Sequence, residues 1–135
     1  MFTLYAPIAG TVALIPDAAG ASLVVETNES VLVKAPTRGT VAVLESAALE
    51  LVDLRGRRIR VTVSADGATV EPLVSLEEAL GFDAPLFRWT PSATNTLRVE
   101  AVSLGNTDVM LNPAEGSRIE DGADWFSIGP FSCGA

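Results

Sequence analysis

The chain has 135 residues, 48 % of them hydrophobic, with a formal net charge of −8 and no histidine. That length suits one domain with a real core. The missing histidine excludes a Ser-His-Asp triad, a Cys-His dyad and any histidine-ligated metal within the chain, and the acidic balance argues against nucleic acid as a partner.

In chain order the pattern is strands and turns. Phe2–Tyr5 is short and apolar. The segment Ala6-Pro7-Ile8-Ala9-Gly10-Thr11-Val12-Ala13-Leu14-Ile15 follows and returns 29 residues later as Ala35-Pro36-Thr37-Arg38-Gly39-Thr40-Val41-Ala42-Val43-Leu44. A recurring segment marks a recurring structural unit. Here it is a proline that opens a turn (Pro7, Pro36), a glycine that permits positive φ (Gly10, Gly39), then a β-rich run. Thr11–Ile15 and Thr40–Leu44 are those runs. Between them Ser22–Glu26 and Val31–Lys34 read as strands, and Thr27-Asn28-Glu29-Ser30 as a hairpin turn. Residues Ser46–Leu54 suit either a helix or a strand. Arg57–Val63 alternates, so Ile59, Val61 and Val63 should face inward, with Arg58 and Arg60 outward against surface acids. Asp66-Gly67 signals a hairpin into Thr69–Leu73.

Ser75-Leu76-Glu77-Glu78 fits a capping box, with Ser75 as N-cap and Gly81 as the stop. It predicts a short helix near residues 76–80. Pro85–Thr90 follows. Asn95–Leu104 and Thr107–Leu111 flank a second hairpin signal, Gly105-Asn106. Arg118-Ile119, the Asp121-Gly122 turn and the strand Asp124–Ile128 complete the pattern. The expected fold is all-β, a sandwich or barrel of short antiparallel strands in one domain over residues 1–135. Its N-terminal half is 1–73, its helical link 75–81 and its C-terminal half 82–135.

Little chemistry is offered. The single lysine, Lys34, reads as a surface charge at a strand end. The acid-rich Glu120–Asp124 stretch lacks EF-hand spacing and reads as a turn. The lone Cys133 has no disulfide partner. The N-terminus shows no signal-peptide pattern, and the early apolar run is too short and broken to span a bilayer. No catalytic residue, cofactor site or metal site is expected, nor a nucleic-acid, membrane or small-molecule substrate role. Phe87, Arg88 and Trp89, with Trp125, Phe126 and Phe131, are the interface candidates, because aromatic residues with arginine make interface hot spots. One ring of each neighbouring pair is expected in the core and the other at a partner surface.

Two resemblances follow. The duplicated Ala-Pro-x-x-Gly-Thr-Val element resembles the turn-and-strand unit of biotinyl and lipoyl carrier domains. Its duplication is similar to the hybrid-motif barrel of the glucose-type IIA phosphocarriers of the sugar phosphotransferase system, over roughly residues 4–63. A carrier needs an exposed hairpin lysine and a phosphocarrier needs active histidines. The resemblance therefore implies the barrel without the activity. The stretch Asn95–Pro113, continuing through Gly116–Gly122, resembles small β-rich structural proteins of tailed-phage particles, such as head-decoration proteins. That resemblance implies a non-catalytic accessory virion component, self-associating or docked on a major capsid or other virion protein. The alternative is a cytoplasmic, non-catalytic binding module on a degenerate carrier-like barrel.

Overall fold

The computed structural model describes residues 2–105 and 108–129. The described residues form fourteen strands and no helix. They are β1 (Phe2–Tyr5), β2 (Gly10–Leu14), β3 (Gly20–Thr27), β4 (Val31–Lys34), β5 (Gly39–Leu44), β6 (Ala48–Val52) and β7 (Arg58–Val63), then β8 (Ala68–Pro72), β9 (Ala79–Leu80), β10 (Pro85–Pro91), β11 (Asn95–Leu104), β12 (Val109–Leu111), β13 (Arg118–Ile119) and β14 (Asp124–Ile128). The chain is all-β, as its alternation and turn spacing require. Every strand pairing among the described residues is antiparallel.

The strands make one eight-stranded sheet, β13-β2-β3-β11-β7-β6-β5-β9, and two three-stranded sheets, β1-β14-β12 and β4-β10-β8. Reversing the large sheet exchanges β13 with β9, β2 with β5, β3 with β6 and β11 with β7. The same operation exchanges the two small sheets. The registers agree in detail. Phe2 pairs with Ile128 as Val31 pairs with Trp89, and Leu4 pairs with Phe126 as Val33 pairs with Phe87. Val99 pairs with Val63 as Ile59 pairs with Ser103, so the pair Ala101–Val61 between them maps onto itself. The molecule has a pseudo-twofold axis through that pair.

The repeated decapeptides meet across this axis. The Tyr5 N–H donates to the Pro36 carbonyl at 3.0 Å, and the Lys34 N–H donates to the Pro7 carbonyl at 3.0 Å. Each copy therefore satisfies the same backbone group of the other, which is what a twofold contact does. The symmetry also uncovers a second repeat, absent from the sequence reading. Pro85-Leu86-Phe87-Arg88-Trp89 is the counterpart of Asp124-Trp125-Phe126-Ser127-Ile128, 39 residues further on.

Several expectations need correction. Residues 76–80 form a turn and the strand β9, with no helix. Half of the capping box exists, since Glu78 Oε1 accepts the Ser75 N–H at 2.9 Å. However, Glu77 sits at φ 67°, which breaks helical geometry, and Leu80 pairs with Gly39. A helix of one turn has little stability of its own, and the sheet edge takes the residues instead. The Asp66-Gly67 and Thr27–Ser30 signals do turn the chain, but the strands they join are not paired; the Gly105-Asn106 signal lies partly outside the described residues, at Asn106. β7 belongs to the large sheet and β8 to a small one, and the same holds for β11 and β12 and for β3 and β4. Gly10 and Gly39 are not at positive φ. They open β2 and β5, where an added Cβ would lie 2.8 Å from the Val24 carbonyl oxygen or 3.0 Å from that of Val52. The glycines allow close strand approach, which is a different reason for the same residue.

The core draws on both halves. Phe87, Trp89, Trp125 and Phe126 are fully buried with Leu4, Ile8, Leu23, Leu51, Ile59 and Leu97. The alternation in β7 is as expected. Ile59, Val61 and Val63 are buried, while Arg58 and Arg60 pair with Glu50 at 3.1 and 3.2 Å and Arg60 also with Glu45 at 2.9 Å.

Candidate functional site

The aromatic residues singled out from sequence do not form a surface. Phe87 and Trp89 lie on one face of β10 and point inward, while Arg88 between them is exposed and pairs with Glu71 at 3.3 Å. Trp125 and Phe126 are neighbours in sequence, yet both are fully buried and meet edge to face with centroids 5.0 Å apart. Alternation fails for them because β14 is covered on both faces, with Trp125 through Ile128 buried in succession. Phe131 and Cys133 lie outside the described residues. These four rings are core, and the interface expectation for them is corrected accordingly.

The surface feature that sequence reasoning missed is a cleft of about 670 Å³ at one end of the large sheet. Thr40 and Ala42 of β5, Val52 of β6, Ala79 and Leu80 of β9, and Phe2 of β1 line it. The Asp53–Arg57 turn closes one side, and Arg38 stands at the entry to β5. The turn is built by one carboxylate. Asp53 Oδ1 accepts the backbone N–H groups of Arg55 and Arg57 at 2.9 and 2.8 Å, and Oδ2 accepts from Arg57 Nε at 2.9 Å. The Arg57 guanidinium carbon then lies 4.0 Å from the centre of the Phe2 ring, a cation–π contact that ties the turn to β1. Leu54 and Arg55 are left at the tip. Leu54 is 104 % exposed relative to a reference residue, the most exposed of the large apolar side chains.

The cations of the chain are distributed unevenly. Lys34 pairs with Asp121 at 2.8 Å and lies 3.7 Å from Asp83. Arg57, Arg58, Arg60, Arg88 and Arg98 are also ion-paired. Among the described residues Arg38, Arg55 and Arg118 have no carboxylate partner, and two of those three line the cleft. The clearest electrostatic perturbation is elsewhere. The hydrogen bond from Lys34 holds the Asp121 carboxyl below its ordinary value, and the same bond raises the Lys34 ammonium. Hydrogen bonding to Glu45 likewise raises Arg60.

No group of three or more His, Cys, Asp or Glu positioned to hold a metal ion occurs among the described residues, and no helix there is long and apolar enough to cross a membrane. The segment that resembles phage structural proteins makes no module of its own. It supplies β11, central in the large sheet, together with β12 and β13.

No protein-family model matches the chain, and no curated protein matches it. Among solved structures it is similar to the glucose permease IIA from Mycoplasma capricolum, with a TM-score of 0.70 and 14 % sequence identity, over 93 % of this chain and 94 % of that one. The chain therefore shares the fold of that IIA protein, the likeness that the duplicated element implied.

Proposed function

We propose that this chain is a non-catalytic binding module on a IIA-like barrel, and that it holds a partner protein at the cleft formed by β5, β6, β9 and the Asp53–Arg57 turn. The observation that carries the reading is Leu54. A fully exposed leucine costs apolar hydration, and here it stands beside an apolar cleft rather than alone on a polar face. The absence of histidine from the whole sequence supports a role without phosphoryl transfer. The test compares Leu54→Asp with Leu32→Asp, a half-exposed leucine on β4 that does not line the cleft. Tagged protein is passed through native extract and its co-eluting partner measured. Loss with Leu54→Asp and retention with Leu32→Asp supports the reading. Equal retention by both, or no co-eluting partner for the unaltered chain, contradicts it.

The finer reading, an accessory component of a phage particle, takes its support from the sequence likeness at residues 95–122. It shares the same mode of action, with a repetitive lattice or a second copy as partner. Light scattering of the purified chain and sedimentation with particles test it. A chain that stays monomeric and never sediments with particles removes it.

A further inference from the structure

The cleft's chemistry constrains what can sit in it. Its floor and walls are apolar: Phe2, Ala42, Val52 and Leu80, with Leu54 at the rim. Its rim carries two guanidinium groups, Arg38 and Arg55, both exposed and without a carboxylate partner among the described residues. In a chain with seventeen acidic and nine basic side chains, a cation left unpaired runs against the supply of counter-charges. Two at one cleft make a local positive rim on an acidic molecule.

The pseudo-twofold provides an internal comparison. The strand positions beside the cleft have counterparts in the other half, so a residue demanded by the fold there would be expected twice; the Asp53–Arg57 turn has none, because it joins β6 to β7 while their counterparts β3 and β11 are not joined. Arg38 has Ala9 as its counterpart in the repeat, and Phe2 has Val31. Ala79 and Leu80 on β9 correspond to Arg118 and Ile119 on β13. A small residue therefore stands on the cleft side where the other half carries a long cation. The barrel does not require Arg38 at the entry to β5, and it does not require open space beside β9.

The backbone adds a directional element. β9 ends the eight-stranded sheet and is only two residues long, so one side of it has no neighbouring strand. An extended peptide can lie along such an edge, with alternate side chains entering the apolar floor.

We infer that the cleft takes an extended acidic–apolar segment of a partner protein, with a Leu-, Ile- or Phe-type side chain on the floor and Asp or Glu side chains against Arg38 and Arg55. This rests on the reading of the cleft as the docking site. Opposite charge at the rim steers encounter and fixes register, while burial on the floor supplies the affinity.

The experiment uses a library of randomised peptides of about twelve residues, displayed and selected on the full chain. The same library is counter-selected on the Arg38→Ser/Arg55→Ser double variant, whose melting curve is first shown to match the unaltered chain. Enriched peptides are synthesised, their affinity is read by fluorescence anisotropy and their position by backbone amide shifts. The expected peptides place an apolar residue within two or three positions of Asp or Glu and shift cleft amides. Their binding weakens about tenfold in the double variant, and by a similar factor as salt rises from about 0.05 M to about 0.5 M. Peptides that shift cleft amides but lack acids, or that bind the double variant equally well, overturn the acidic-segment inference and leave the docking site standing. Peptides that shift amides elsewhere, or a selection with no enrichment, overturn the docking site itself.

Discussion

Replacing Glu77 by glycine should stabilise the protein, and the pseudo-twofold says why. Glu77 has φ 67°, and its counterpart in the other half is Gly116 at φ 85°. Both make the same contact. The Glu77 N–H donates to the Val41 carbonyl at 2.7 Å, and the Gly116 N–H donates to the Val12 carbonyl at 2.8 Å. A side chain in the left-handed region costs about 1–2 kcal/mol. Glycine loses more chain freedom on folding, by about 0.5–1 kcal/mol. Glu77 is exposed, so little packing is lost with its side chain. The net gain for Glu77→Gly is about 0.5–1 kcal/mol, or a rise of about 2–4 °C in Tm. Gly116→Ala should cost about 1 kcal/mol. An added Cβ at Gly116 meets nothing within 4 Å, so that loss isolates the backbone term. Urea unfolding at constant m-value measures both. A destabilised Glu77→Gly together with an unaffected Gly116→Ala would refute the equivalence of the two turns.

Three further outcomes follow from the packing. Gly10→Ala and Gly39→Ala should each lose about 1–3 kcal/mol through contact with a neighbouring strand's backbone, with Gly10 the worse because its approach is 2.8 Å against 3.0 Å; equal or higher Tm for either would remove the close-approach account. Trp89→Phe should cost more than Trp125→Phe in chemical denaturation. The Trp89 indole donates to the Ser64 carbonyl at 3.1 Å, whereas the Trp125 indole N–H has no hydrogen-bond partner among the described residues. Loss of the Trp89 bond also strands its acceptor, so the reverse order would contradict the packing. Asp121→Asn should lower stability by no more than about 1 kcal/mol at neutral pH, since the Lys34 pair is partly exposed. The Asp121 carboxyl is depressed, so its contribution is full above the ordinary carboxylate value of 3.8 and is lost as the pH falls through the lower folded value. The variant and the unaltered chain should converge in acid unfolding, and a difference that persists at the lowest pH would show that charge is not the cause.

Local signals carried the class of fold but not its connections. The alternation of Arg57–Val63 placed three buried and two outward side chains correctly because that strand has one covered face. The same rule failed at Trp125-Phe126, where β14 is covered on both faces and a period of two carries no orientation. The turn residues at Asp66-Gly67 and Thr27–Ser30 marked real corners. They could not say that the next strand leaves for another sheet, because pairing is set by contacts distant in sequence. One repeat was legible, since Gly10 and Gly39 face the same close backbone approach. The second was hidden, because Leu86 and Trp125, or Trp89 and Ile128, fill equivalent core positions with different apolar shapes. The cleft left no sequence signature. It depends on an edge strand, a five-residue turn and Phe2 being brought together, and Leu54 looks in sequence like any other apolar residue.

Amide-shift mapping of the partner recovered from native extract tests the central claim most directly, on the full chain labelled with nitrogen-15. The account predicts shifts concentrated at Arg38, Thr40, Leu54, Arg55, Ala79 and Leu80, with the counterpart positions Ala9, Thr11, Arg118 and Ile119 unchanged. Shifts that avoid the cleft, or that fall equally on both halves of the pseudo-twofold, would contradict it.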